Sequence, residues 1–183
     1  MDKEPAKFEV GINPFVSMNS KQSRMKKAFF VLVVVLLAIL EPSALLANCK
    51  DNQLEVKGDW GMARFRVEIA DTPESHKKGL MGRESLGLSQ GMFFVFDKPG
   101  PANFWMKDTL IPLDMIFIDE TGQITTINHQ AEPLTTTTFF GGNAITFVLE
   151  INGGLAQKFG ISEGDLVRHP RINPDLAAWA CKS

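Results

Sequence analysis

The sequence predicts a mainly β domain, a β-rich sandwich or barrel with two short α-helices, on three observations. Short apolar runs, alternating or continuous, recur from Arg64 to His169. Gly and Pro residues separate them at short intervals, as in all-β domains. Helix-end signals frame only two short segments, one after Thr72 and one after Gly154. A chain of 183 residues, 44% hydrophobic and 22% charged, has room for one such domain and an appendage.

The appendage comes first. Residues 1–24 are polar and aperiodic, and a start codon assigned too early, with Met25 the true initiator, explains them most simply. Residues 25–47 join Met25-Lys26-Lys27 to the apolar run Ala28–Leu40 and a small-residue end at Ala47, the pattern of a secretory signal peptide. The apolar run is shorter than the roughly 20 residues of a spanning helix. The expectation is export, to the periplasm or beyond the cell. Leu45 is bulkier than a cleavage site prefers, so retention as an uncleaved membrane anchor stays open. In an oxidising compartment the two cysteines, Cys49 and Cys181, invite a disulfide. Leu46-Ala47-Asn48-Cys49 also resembles a bacterial lipobox, and a lipid on Cys49 is the competing reading. Met1–Asn48 holds six of the 19 Lys/Arg and four of the 21 Asp/Glu, which leaves 13 and 17 and a net charge of −4. That balance argues against nucleic acid, whose binders carry a basic face.

Residues 49–63 read as a linker or N-terminal segment without an assigned element. In Arg64–Ala70, Phe65, Val67 and Ile69 alternate with Arg64, Arg66 and Glu68, the period of a strand with one wet face. Thr72 suits an N-cap, Pro73 the first helical position and Gly82 the residue past the end, so a helix is predicted from Pro73 to about Met81. "GMFFVFDKPG" reads as a strand buried on both faces and ended by a turn at Pro99-Gly100-Pro101. A new extended segment begins at Asn103, Pro112 marks an edge, bulge or corner, and a hairpin follows with its loop at Asp119–Gln123. Further on, Ile145, Phe147, Leu149 and Ile151 share one strand face, while Thr146, Val148 and Glu150 share the other. Leu155–Phe159 is a short helix closed by Gly160, a last strand follows Gly164, and residues 170–183 form a tail.

Over residues 64–169 the blocks "TPESHKKGLMGRESL", "GMFFVFDKPGPANFWMKDTLIPLDMIFID", "VLEINGG" and "GISEGDLV" stand in a familiar order and spacing. They resemble the family catalogued as domain of unknown function 192. Asp108 occupies a position where many members carry Asn. The resemblance implies a small, mainly β, often exported domain, and it brings no reaction and no catalytic residue with it.

The charges inside the run Phe104–Glu120 raise the question of a site. Lys107 and Asp108 alternate in an extended segment, so they are not automatically partners. Asp108-Thr109 before Pro112 suits an Asx-type turn, which Asn would make equally well. Asp114, between Leu113 and Met115, is a carboxylate in an apolar strand and must find partners such as Lys107, Arg83 or backbone N–H groups. Glu150 is a second internal acid; facing one cleft with Asp114, it would supply a general acid and base. Met81, Met92, Met106 and Met115 offer thioethers suited to Cu(I), yet each adjoins apolar residues and reads first as core filling.

His129 and Glu132 are three apart, but Pro133 argues against a helix there. His76 adjoins Lys77 and Lys78 on a helix face expected to be solvated, and His169 precedes Pro170 in a turn. No zinc, P-loop, dinucleotide or nucleophile-elbow motif is present, and no cofactor is expected. Trp105 reads as a core anchor, and Phe139-Phe140 before Gly141-Gly142 as a mobile loop suited to binding.

These residues together point to an exported binding or accessory module for a polar ligand or an envelope partner. Membrane contact is expected only through the signal segment or a lipid on Cys49. The site is expected between Gly79–Arg83 and Trp105–Asp114, where Arg83, Lys107, Asp108 and Asp114 would meet. The alternative is a hydrolase-like enzyme using Asp114 and Glu150, and a second alternative is copper binding through Met81 and Met106.

Overall fold

The computed structural model describes residues 49–181, so the expected signal peptide lies outside the described residues. The strands are β1 (Gln53–Gly58), β2 (Gly61–Ala70), β3 (Gln90–Phe104), β4 (Leu113–Ile118), β5 (Ile124–Ala131), β6 (Phe139–Asn152) and β7 (Leu166–Arg168). Two short helices, α1 (Pro73–Lys78) and α2 (Leu155–Phe159), complete the predicted mainly β architecture. All seven strands form one sheet in the order β5-β4-β6-β3-β2-β1-β7.

The sheet curls until its edges meet. Gln123, just before β5, bridges Leu166 of β7, and the Val167 N–H donates to the Gly122 carbonyl at 2.7 Å. Side chains from both edges and from the middle, Ile124, Val167, Phe93 and Leu149 among them, fill the inside of the curl. The outer face carries a second apolar layer that includes Met92, Phe94, Met115 and Phe117. β4 is buried along its whole length because it feeds both layers alternately.

β2 and β3 run parallel, which demands a crossover rather than a hairpin. Residues 71–89 supply it and bring Leu80 and Leu86 into the outer layer. Thr72 and Ser75 cap α1 reciprocally: the Ser75 N–H donates to Thr72 Oγ1 at 3.1 Å, and the Thr72 N–H to Ser75 Oγ at 2.9 Å. Gly79 ends the helix at φ 45°, earlier than the predicted Met81.

Four segments differ from their sequence reading. The first is the extended segment expected from Asn103: Asn103 and Phe104 end β3, and residues 105–112 form a loop with no strand. Residues 53–58, left without an element, form β1; its apolar pattern is masked by Glu55, which is buried and paired with Arg64 and Arg168. Pro99-Gly100-Pro101 does not end a strand: β3 continues to Phe104 through shifts of register against β6. A bulge is where proline's missing N–H does no harm. Phe139–Gly142 is not a loop but the start of β6, with Phe139 opposite Phe104 and Phe140 opposite Asn103. Gly141 is needed there, since a Cβ would lie 1.9 Å from the Phe117 ring. The hairpin loop stands as read, with Asp119 Oδ1 accepting the Thr121 and Gln123 N–H groups.

Cys49 and Cys181 form a disulfide with Cα atoms 5.8 Å apart, leaving no free cysteine among the described residues. The tail also docks through Trp179, whose ring faces Lys57 Nζ at 4.5 Å and the Arg168 guanidinium at 4.2 Å. Among the described residues no helix is long and apolar enough to cross a membrane.

Candidate functional site

The four charges expected to converge do not. Arg83 makes a forked pair with Glu68, at 2.7 and 2.9 Å. Lys107 is exposed, its Nζ 5.5 Å from the centroid of the Trp105 ring. Asp108 adopts φ 54°, a left-handed conformation that Asp and Asn tolerate better than most side chains. Its carbonyl accepts the Gly82 N–H at 2.7 Å, so backbone geometry accounts for an Asp or Asn here without any need for charge.

Asp114 is fully buried and points to the inner face. Oδ1 accepts the N–H groups of Gln130 and Gly154 at 2.8 and 2.9 Å, and Oδ2 accepts that of Ala156 at 2.8 Å. Gly154, the N-cap of α2, has no side chain to cap the helix, and Asp114 does so from β4. Three backbone donors occupy three of its roughly four acceptor sites and tie β4 to β5 and α2.

Glu150 faces the other way. In the paired strands Asp114 stands opposite Ile151 and Met115 opposite Glu150, and side chains alternate along a strand. The two carboxylates therefore lie on opposite faces of the sheet and cannot share a cleft, which removes the acid–base pair. Glu150 is flanked across the sheet by Met92 on one side and Met115 on the other. It is 4% exposed, and burial alone acts on its carboxyl, with no hydrogen bond or neighbouring charge contributing among the described residues. Burial away from water pushes its carboxyl up to about 8, so it is mainly protonated at neutral pH.

What Glu150 faces is a cavity of about 160 Å³. One wall is the end of α1 and the turn after it, from His76 to Met81. The opposite wall is Trp105 and Thr109, and Phe94, Phe96 and Phe104 supply rings between them. The Gly82–Asp108 hydrogen bond ties the two walls together, and the 105–112 loop is held from behind by Met106 N–H to the Thr135 carbonyl and Leu134 N–H to the Thr109 carbonyl. Phe104 meets Phe94 edge-to-face at 5.1 Å and Phe117 at 5.7 Å, which fixes its ring. His76 is half-buried rather than solvated: Nε2 donates to the Ala70 and Val95 carbonyls at 2.9 and 3.1 Å, and the ring packs against Phe96 at a tilt of 41°, with centroids 4.6 Å apart.

The cavity lies beside Gly79–Met81 and Trp105, and none of the four expected charges lines it. Trp105, read as a core anchor, is 46% exposed at its edge. Phe139 packs into the outer layer and Phe140 is exposed. Met92, Met106 and Met115 are buried in the outer layer, and only Met81 of the four methionines lines the cavity. His129 Nδ1 lies 4.0 Å from Asp114 Oδ1, and no group of three or more His, Cys, Asp and Glu among the described residues is placed to hold a metal. His169 is buried, its Nε2 donating to the Asp51 carbonyl at 2.8 Å, and burial lowers its pKa. The sequence reading missed His76 and the isolation of Glu150; the one signal for the latter was an acid closing the strand face of Thr146 and Val148.

Several solved structures match the chain, among them the following two. A protein of unknown function from Novosphingobium aromaticivorans is 42% identical, with a TM-score of 0.62 over 63% of this chain and 82% of that one. A protein named as a candidate transcription regulator from Sinorhizobium meliloti is 32% identical, also with a TM-score of 0.62, over 66% of this chain and 95% of that one. No curated protein matches the chain. The family described as DUF192, Uncharacterized ACR, matches residues 53–169, which includes every strand and both walls of the cavity, and the chain belongs to that family.

Proposed function

We propose that this domain is an exported binding module that holds a small molecule, with an apolar body and one polar end, in the cavity above Glu150. The observation that carries the reading is Glu150 itself. A buried carboxyl without a partner costs stability, and a methionine like its two neighbours would fit the same apolar layer. Retaining it at the floor of an aromatic-lined cavity fits recognition better than packing. The size of the cavity sets the scale of the ligand, since a void of about 150 Å³ accommodates benzene. Export is supported by the signal-type segment at residues 25–47 and by the Cys49–Cys181 bond. The acidic balance of the chain after Asn48 speaks for a small molecule or an envelope partner over nucleic acid.

Amide NMR spectra of the protein titrated with benzene-sized polar molecules test this. Binding in the cavity shifts the Gly79, Met81, Trp105 and Thr109 signals together, and Glu150→Leu abolishes the response. Shifts confined to other surfaces, or a response indifferent to Glu150→Leu, would contradict it.

A further inference from the structure

The charge of the ligand follows from what lines the cavity, given the binding role proposed above. The charged or titratable residues that line it are Glu150 on β6 and His76, Lys77 and Lys78 on α1. β3 and the 105–112 loop contribute none: their lining residues are phenylalanines, Asn103, Trp105 and Thr109. We infer that the cavity takes a small organic anion, a monocarboxylate whose apolar body is about the size of a benzene ring.

Three observations converge on this. Glu150 lines the cavity with no charge or hydrogen bond from a described residue acting on its carboxyl, and in its protonated form it offers one O–H donor. A carboxylate is an acceptor, and two carboxyl groups in contact readily share one proton. Lys77 and Lys78 are exposed along one wall and take part in no ion pair among the described residues, so they draw anions toward the opening. Phe94, Phe96 and Phe104 present ring surface for the apolar body. A cation would have to pass two ammonium groups and ionise a desolvated acid. Because burial keeps the Glu150 proton in place up to about pH 8, the donor is available at neutral pH and disappears above it.

The test uses three probes of one shape and different charge: benzoate, benzyl alcohol and benzylamine. Each is titrated into the protein at pH 7 and pH 9, with the Gly79, Trp105 and Thr109 amides as the readout. Benzoate is expected to bind best at pH 7 and to weaken about tenfold at pH 9, where only about a tenth of Glu150 keeps its proton. Glu150→Gln, which keeps a donor and cannot ionise, should bind benzoate equally at both pH values. The double variant Lys77→Ala, Lys78→Ala should weaken benzoate severalfold and leave benzyl alcohol unchanged.

Tighter binding of benzylamine than of benzoate, or benzoate binding indifferent to pH, overturns the inference. Benzyl alcohol binding without benzoate overturns the choice of charge and leaves the cavity as a binding site. If none of the three moves these amides, the inference and the proposed binding role both fail.

Discussion

Asp114 and Glu150 are both buried acids in apolar strands, and their opposite surroundings give them opposite roles. Asp114→Asn turns an amide N–H₂ toward backbone donors now held by a carboxylate. It should cost about 2–4 kcal/mol in urea unfolding, as breaking a buried charge-assisted network does. Lys107→Ala, which removes only an exposed contact with Trp105, should stay within about 0.5 kcal/mol. For Glu150 the sign is reversed. Its pKa is raised from 4.5 to about 8, so its contribution to stability is whole below pH 4.5, declines as pH rises to about 8, and changes no further. Wild type should therefore lose on the order of 4 kcal/mol relative to Glu150→Gln between those limits, in urea unfolding at successive pH values. At pH 8, Glu150→Met should be the more stable protein by about 1–3 kcal/mol, because it fits between Met92 and Met115. Both acids were visible in the sequence as charges in apolar strands. What told them apart was not, since the donors to Asp114 come from residues 130, 154 and 156, and the neighbours of Glu150 from residues 92 and 115.

At the scale of elements, α1 matters because its end is a wall of the cavity. Thr72→Ala removes the reciprocal cap and should cost about 1 kcal/mol. Amide exchange should quicken from His76 to Gly79, and a change spread evenly over the sheet would show that α1 is not an independent wall. This helix and the β4–β5 hairpin were legible because their signals are local: Thr72-Pro73 at one, Asp119 and Gly122 at the other. β1, the bulge in β3 and the start of β6 were not, each for a tertiary reason. Glu55 looks polar until Arg64 and Arg168 reach it from neighbouring strands. The two prolines flanking Gly100 look like a stop until β6 is seen carrying the ladder past them. Phe139–Gly142 looks like a loop until Gly141 is found under Phe117.

For the whole molecule, the curled sheet is completed by contacts between its edges, and the Cys49–Cys181 bond ties together residues 132 apart in sequence. Reduction should lower stability by about 2–4 kcal/mol, read as a drop in Tm on adding a thiol reductant, with the sheet still formed at room temperature. Membership of DUF192 gives the fold and no reaction, so the case for the cavity rests on Glu150. The carboxyl ¹³C shift of Glu150, followed from pH 3 to pH 10, tests that directly. A midpoint near 8 is predicted for an acid held out of water at the cavity floor. A midpoint near 4.5 would mean that Glu150 is solvated and ionised at neutral pH, and the cavity would lose the group that makes it a site.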